Sequence, residues 1–466
     1  MATTPSAQTV PPPAPIQAKP AVSSSGTLGI HGSNTIGQLL MLSLVEAYGA
    51  SIGAKVVRLA GEDPEQTEFR LTSRAGTTIA LVDIRAHGSG TAVPALIAGK
   101  ATIGMMSRPV NADEVEVLAK AGWPDLRTSG HEHVLALDGV LVLVAPDNPL
   151  KSLSLEQVAG MFAGTIRDWS AVGRRPGPVD VYARDNKSGT YDTFNALVLE
   201  PRKLVLRPDA KRYESSEDLS DDVSRDPNGI GFVGFAYRRS AKALDISSDC
   251  GITSTPNTFN VKSEEYPLSR RLFLRTKELP KGSFADGLLQ YVLSIAARDS
   301  ILEAGYIDQE LEFLDPKEQM VRLADSLVLN DAHVDPVVLK DLAIDIKSSM
   351  RMSTTFRFAR GSSLLDNKSI LDIGKLAHFV EFLVESRQSH ALVLAGFTDA
   401  VGDFRRNAAL SLARAQQVKE AILRAAKVAV PANMILTRGY GPLLPTSCND
   451  TQDGRYKNRR VESWLR

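Results

Sequence analysis

Cysteine is nearly absent from this sequence: Cys250 and Cys448 are the only two in 466 residues. Two cysteines cannot build a disulfide scaffold, and no zinc-type spacing surrounds them. They are expected to be unpaired thiols in different domains, with an interdomain bridge as the alternative. Net charge is missing as well. Lysine plus arginine number 54, and so do aspartate plus glutamate. Nucleic-acid binders and polybasic membrane proteins carry a positive excess, so no nucleic-acid partner is expected. Long hydrophobic runs are also lacking. "GVLVLVA" at 139–145 has the length of a buried strand, well short of the roughly 20 residues of a membrane span.

Catalytic patterns are absent too. There is no G-x-S-x-G elbow, and "DNKSGTY" lacks the spaced glycines of a phosphate-cradling loop. His131 and His133 stand two apart in "SGHEHV" with no further ligand cluster, so they read as a strand start and not a metal site. The expectation is a protein without enzymatic activity, metal or cofactor.

What is present is an ordinary globular balance, 43% hydrophobic and 23% charged, over a length that suits roughly two to four domains. Residues 1–25, "MATTPSAQTVPPPAPIQAKPAVSSS", are rich in Pro, Ala and Ser and lack the apolar core of a signal peptide. They are expected to form a disordered tether, with no export signal in this chain. From 26 to 315, short apolar strands alternate with helical stretches, as in "TLGIHG" followed by "TIGQLLMLSLVEAYGA". That alternation predicts βαβ units and an α/β architecture. Residues 316–349 read as a connector with some helix. From 350 to 466 the expected order is strand, helix, strand, helix, strand, strand: a small α+β sandwich.

Three turns rich in Gly, Ser and Thr stand at strand-to-helix junctions of the first domain: "HGSNTIG" at 31–37, "HGSGTAV" at 87–93 and "ARDNKSGTYDTF" at 183–194. Unpaired N–H groups at a helix start attract anions, hydroxyls add donors, and glycine lets the backbone come close. Taken singly, each turn is explained by helix capping. Together, with Arg184 four residues before Ser188, they point to a common anion.

These turns, with "KATIGMMSRPV", "NGIGFVGFAY" and "YPLSRRLFL", resemble in order the phosphate-binding proteins of ABC importers over residues 26–315. The resemblance implies a two-lobed type II periplasmic-binding-protein fold with a two-strand hinge and an anion in the cleft. By motif, the contacts would be Ser33, Asn34, Thr35 and Ser89 from one lobe. Arg184, Ser188, Gly189 and Thr190 would come from the other. Two positions depart from the family. Ser107 stands where phosphate-specific members keep an aspartate as proton acceptor, followed by Arg108. Asn186 replaces an acid, beside Asp185. A serine both donates and accepts, so it separates phosphate from sulfate less sharply than a carboxylate does.

In "GFTDAVGDFRRNAALSLARAQQV" at 396–418, the apolar stripe Leu410, Val418, Ala421, Ile422 and Ala425 carries Arg414 between its first two members. A permanent charge on a core-facing stripe needs a partner, and Asp399 at the end of the preceding strand is the candidate. Such a pair either satisfies itself or receives a zwitterion. With "RGYGPLLP" and "NDTQDGRYKNRRVE", the segment resembles the OmpA-like domains that bind peptidoglycan, over about 350–466. That resemblance implies that Thr398, Asp399, Asn407, Leu410 and Arg414, with Arg459 close by, hold the amino-acid end of diaminopimelate. Arg460 would be a structural ion-pair partner, and Phe397 replaces a His or Tyr.

The combined expectation is a non-enzymatic envelope protein of a Gram-negative-type bacterium. Its type II binding-protein domain takes an oxyanion, phosphate first, and an α+β OmpA-like sandwich anchors it to peptidoglycan near an importer or other envelope protein. The alternative is a wall-anchored assembly protein whose first domain contacts a protein and not an anion.

Overall fold

A computed structural model describes residues 26–60, 63, 65–186, 188–248, 250–328, 334–358 and 365–466. The expected tether, 1–25, lies outside the described residues. Among those described, no helix is long and apolar enough to cross a membrane.

Most strands of the first domain join one eleven-stranded sheet that runs through both lobes, and Ser152–Ser154, Asp245–Ser247 and Thr253–Ser254 form a separate small sheet. In the first lobe, Thr27–Gly32 pairs in parallel with Thr78–Arg85 and Ile103–Met106. In the second, Gly229–Gly234 pairs in parallel with Asp180–Arg184. The lobes are joined by the 13-residue strand Glu132–Val144, the "GVLVLVA" segment and its approach. Its first part pairs with the returning strand Ser269–Thr276, and its second part pairs with Gly229–Gly234. From Val134 onward every residue of this strand is buried, which accounts for its unbroken apolar run. Ile30, Leu44, Phe69 and Met105 lie in one lobe's core, and Phe162, Trp169, Phe194 and Phe232 in the other's.

The C-terminal sheet has the order Phe313–Leu314, Met350–Arg357, Arg460–Leu465, Leu392–Phe397, Ile435–Gly439. Helices Asn367–Glu385 and Phe404–Ala425 cover one face, burying Leu376, Val380, Val418 and Ile422 against Phe356 and Leu394. The segment expected to be a connector covers the other face. Helices Pro316–Val328 and Pro336–Lys347 begin at prolines, which suit a first helical turn. They pack Leu323, Leu342 and Ile346 against Val393, Phe397 and Trp464. The expected strand order omitted a short helix, Gln452–Asn458, between the last two strands. Its seven residues carry too few apolar positions for a helical period to show.

The expectation of two unpaired thiols is wrong. Cys250 and Cys448, 198 residues apart, form a disulfide with a Cα–Cα distance of 5.8 Å. Sequence separation carries no information on which loops the fold brings together, so the interdomain alternative could not be chosen in advance. Ion pairs add to this link. Glu264 takes Arg271 and, at 2.8 Å, Arg357. Arg271 also reaches Asp366 at 2.7 Å, and Arg351 donates to Glu265 at 3.0 Å.

Candidate functional site

Two of the three turns meet across the lobes. A Cβ added to Gly189 would lie 1.8 Å from Thr35 Oγ1, so the second lobe touches the first there and only glycine fits. Ser33, Asn34, Thr35 and Ser188 are all buried. Ser33 is held by its N–H to the carbonyl of Met105 at 2.9 Å. Ser188 caps helix Gly189–Phe194, accepting from the N–H of Tyr191 at 3.4 Å. Thr190 follows in that helix, half-buried. The second turn joins through Ser89, whose Oγ accepts the Ser107 N–H at 3.0 Å and lies 3.1 Å from the Ser107 Oγ.

Arg184 is turned toward its own lobe. Its guanidinium donates to the carbonyls of Tyr213 at 3.3 Å and Glu214 at 2.7 Å, and to the Ser216 hydroxyl. Burial, the largest influence, lowers its pKa. It still lines, with Ser188, a cavity of about 710 Å³ between Gln38, Arg58 and Thr67 of one lobe and Asp185, Asn186 and Glu214 of the other. Arg108 is taken up by Glu114 at 2.7 Å. Asn186 accepts from Arg212 at 2.6 Å. His131 and His133 both bond Thr276, at 3.1 and 3.3 Å.

A residue the site reading missed bridges the two lobes where Thr35 meets Gly189. Arg270 stands opposite Asp138 in the ladder between the two lobe-joining strands, and the pair is bonded at 3.1 Å. The same guanidinium donates to Thr35 Oγ1 at 2.9 Å and to the carbonyl of Gly189 at 2.8 Å. Burial raises the pKa of Asp138, and Arg270 opposes that shift. Tyr306 holds the Thr35 backbone, donating to its carbonyl at 2.5 Å. The available signals were an acid, Asp138, ahead of an apolar strand, and the paired arginines of "YPLSRRLFL".

The C-terminal candidates converge differently from expectation. Asp399 pairs with Arg459, Oδ2 to Nη1, at 2.7 Å, and not with Arg414. Arg459 is also fixed by its Nε to the carbonyl of Phe358 at 3.2 Å. Arg414 is buried, with its guanidinium 5.3 Å from the Phe358 ring centre. Its Nη1 has no partner among the described residues. Burial and then Arg459 lower its pKa, while Asp399 raises it. Two guanidinium groups therefore stand near one carboxylate, and Arg459 is the one bonded to it. Thr398 is buried with its Oγ1 also unpartnered among the described residues, and Asn407 Nδ2 donates to the carbonyl of Val401 at 3.2 Å.

Leu410 does not belong to the buried stripe: it is 47% exposed. The face turned inward is Asn407, Ser411, Arg414, Ala415, Val418 and Ile422. The Ser411 carbonyl would lie 2.0 Å from a Cβ on Gly396, so glycine is required in the strand and the helix lies against it there. Arg460 is a fully buried structural partner of Glu462, at 2.7 Å.

A family model described as the PBP superfamily domain matches residues 20–295. The chain belongs to the PBP superfamily. Within this superfamily member, a second model, described as the OmpA family, matches residues 357–459. The phosphate-binding protein PstS of Pseudomonas aeruginosa is 30% identical over 244 residues, covering 48% of this chain and 73% of its own. Protein SphX of Synechococcus elongatus is 32% identical over 247 residues, covering 51% of this chain and 68% of its own. A solved ABC-type phosphate transport receptor from Vibrio cholerae aligns with 60% of this PBP superfamily chain and 99% of its own. That alignment has 24% identity and a TM-score of 0.46.

Proposed function

We propose that this chain is an envelope protein that captures an inorganic oxyanion, phosphate first, in the interlobe cleft and is anchored to peptidoglycan by its C-terminal domain. The observation that carries the reading is the meeting of the Thr35 and Gly189 turns from opposite lobes, with the Ser89–Ser107 pair beside the first. An oxyanion offers only acceptors along most of its surface. Hydroxyls and backbone N–H groups from two lobes are the donors it needs, and closing the lobes removes competing water. The names of the PstS relatives, phosphate-binding proteins, support the choice of anion.

At the second site, Arg414 and Arg459 exceed the single charge of Asp399, so a guest carboxylate completes the balance. An ammonium on the same guest would take the carboxylate of Asp399. That is the amino-acid end of diaminopimelate, approached by Thr398 and Asn407 and flanked by the exposed Leu410. The interdomain disulfide supports an oxidising, extracytoplasmic compartment. An importer that receives the anion is the partner this arrangement suits.

Calorimetry on protein stripped of ligand tests the first half: heat with phosphate, and a weaker or equal response to sulfate, is expected. No heat with either anion would remove the oxyanion reading and leave a scaffold that contacts another protein.

A further inference from the structure

Arg270 has no backbone position in either anion turn, yet it touches both. It lies on the returning strand Ser269–Thr276, opposite Asp138, with its side chain 9% exposed. Nε and Nη2 donate to Asp138 Oδ2 at 3.2 and 3.1 Å, which orients the fork. Nη2 then serves Thr35 Oγ1 from the first lobe and the Gly189 carbonyl from the second. These bonds form together only when the lobes are closed.

The chemistry of the two acceptors decides what those bonds do. A guanidinium only donates, so the Thr35 oxygen must accept and its own hydroxyl hydrogen is left for another acceptor. The Gly189 carbonyl also accepts from the Thr193 hydroxyl at 2.7 Å. Its peptide continues to the N–H of Thr190. A carbonyl polarised by a cation makes the N–H of the same amide a stronger donor, because bonds in a chain reinforce one another. One side chain thus sets a hydroxyl from one lobe and an amide from the other as donors.

We infer that Arg270 is a positioning residue for anion capture: anchored by Asp138, it couples lobe closure to the alignment of the Thr35 hydroxyl and the Thr190 N–H. This rests on the oxyanion reading above. It does not require Arg270 to touch the anion.

The test is phosphate binding by the full chain, with affinity from calorimetry and dissociation rate from stopped flow, beside thermal melting. Three proteins are compared: the parent, Arg270→Lys, and the double variant Asp138→Asn/Arg270→Gln, which leaves no uncompensated carboxylate. Arg270→Lys keeps the charge beside Asp138 but has a single nitrogen to share, so it should melt close to the parent. Its phosphate should dissociate roughly tenfold faster or more, the scale of one lost charge-assisted bond. The double variant should lose at least as much affinity.

Unchanged affinity and rate in Arg270→Lys would overturn the positioning role, whether or not the double variant folds. A parent that gives no heat with phosphate or sulfate overturns the oxyanion reading itself, and this inference with it. The two failures are distinguished by the parent's own titration.

Discussion

Asp399 gives its carboxylate to Arg459, at 2.7 Å between Oδ2 and Nη1, and leaves Arg414 beside it with an unpartnered nitrogen among the described residues. A buried donor without an acceptor costs about 1–3 kcal/mol, more when charged. The helix face that carries Arg414 is otherwise built for packing, with Ala415, Val418 and Ile422 buried on it. Retaining a cation there is a stability cost that a guest carboxylate would offset.

Arg414→Met is therefore expected to melt at or above the parent's temperature, since it removes an unsatisfied charge and keeps a flexible apolar stem. The same variant should fail to sediment with purified peptidoglycan sacculi, as should Asp399→Ala combined with Arg414→Ala. If either variant pellets like the parent, the zwitterion assignment is wrong.

Gly189→Ala puts a methyl group where Thr35 Oγ1 stands, 1.8 Å from the ideal Cβ position. The lobes must part to accept it. Phosphate affinity should fall by tenfold or more, about 1.4 kcal/mol, with folding cores intact. Equal affinity in Gly189→Ala, measured by calorimetry, would show that the cleft does not close as described.

The disulfide joins a loop of the second lobe to the C-terminal domain. Replacing Cys250 and Cys448 with serine should lower unfolding stability by about 2–5 kcal/mol, the usual range for removing such a link. Denaturant unfolding of the parent, with and without reductant, should reproduce the difference between parent and variant. A variant as stable as the oxidised parent would mean that the ion pairs of Glu264 and Glu265 hold the domains unaided.

His133 supplies a pH signature. Burial, chiefly, and then the neighbouring His131 and Arg275 push its pKa down from the usual 6.5 to about 4. The unfolded chain therefore binds a proton first as pH falls. The stabilisation is complete above pH 6.5 and is lost progressively toward pH 4. The full effect is of order 3 kcal/mol for a shift of this size. His133→Gln should flatten the parent's loss of stability between pH 7.5 and pH 4.5, followed by guanidinium unfolding. Identical slopes would mean that His133 does not stay neutral in the fold.

Much of this was legible from one chain of letters because its causes are short-range. Alternation of apolar positions follows from the strand pleat, and spacings of three and four follow from the helix. The helical period survives in Leu376, Val380 and Leu383, which are buried where it puts them, whereas Met350–Arg357 is buried at every position after its first, because helices cover both faces of its sheet. Turns of Gly, Ser and Thr were readable as donors because a helix start leaves its first N–H groups unpaired. The inward-facing stripe of Phe404–Ala425 was misjudged at Leu410 and Ala425, both exposed. The helix backbone lies against Gly396 at Ser411, and hydrophobicity alone does not rank Ser411 above a leucine.

Sequence alone, then, determined most of the order of elements, the turns that could meet an anion, and the presence of a cation on a helix face that otherwise reads as apolar. Only the folded chain decided which distant residues meet. Asp138 finds Arg270 through strand register, 132 positions away, and Cys250 finds Cys448 across 198. Asp399 takes Arg459 and not Arg414. Such choices depend on the sum of many packing contacts, and no local stretch of residues encodes them.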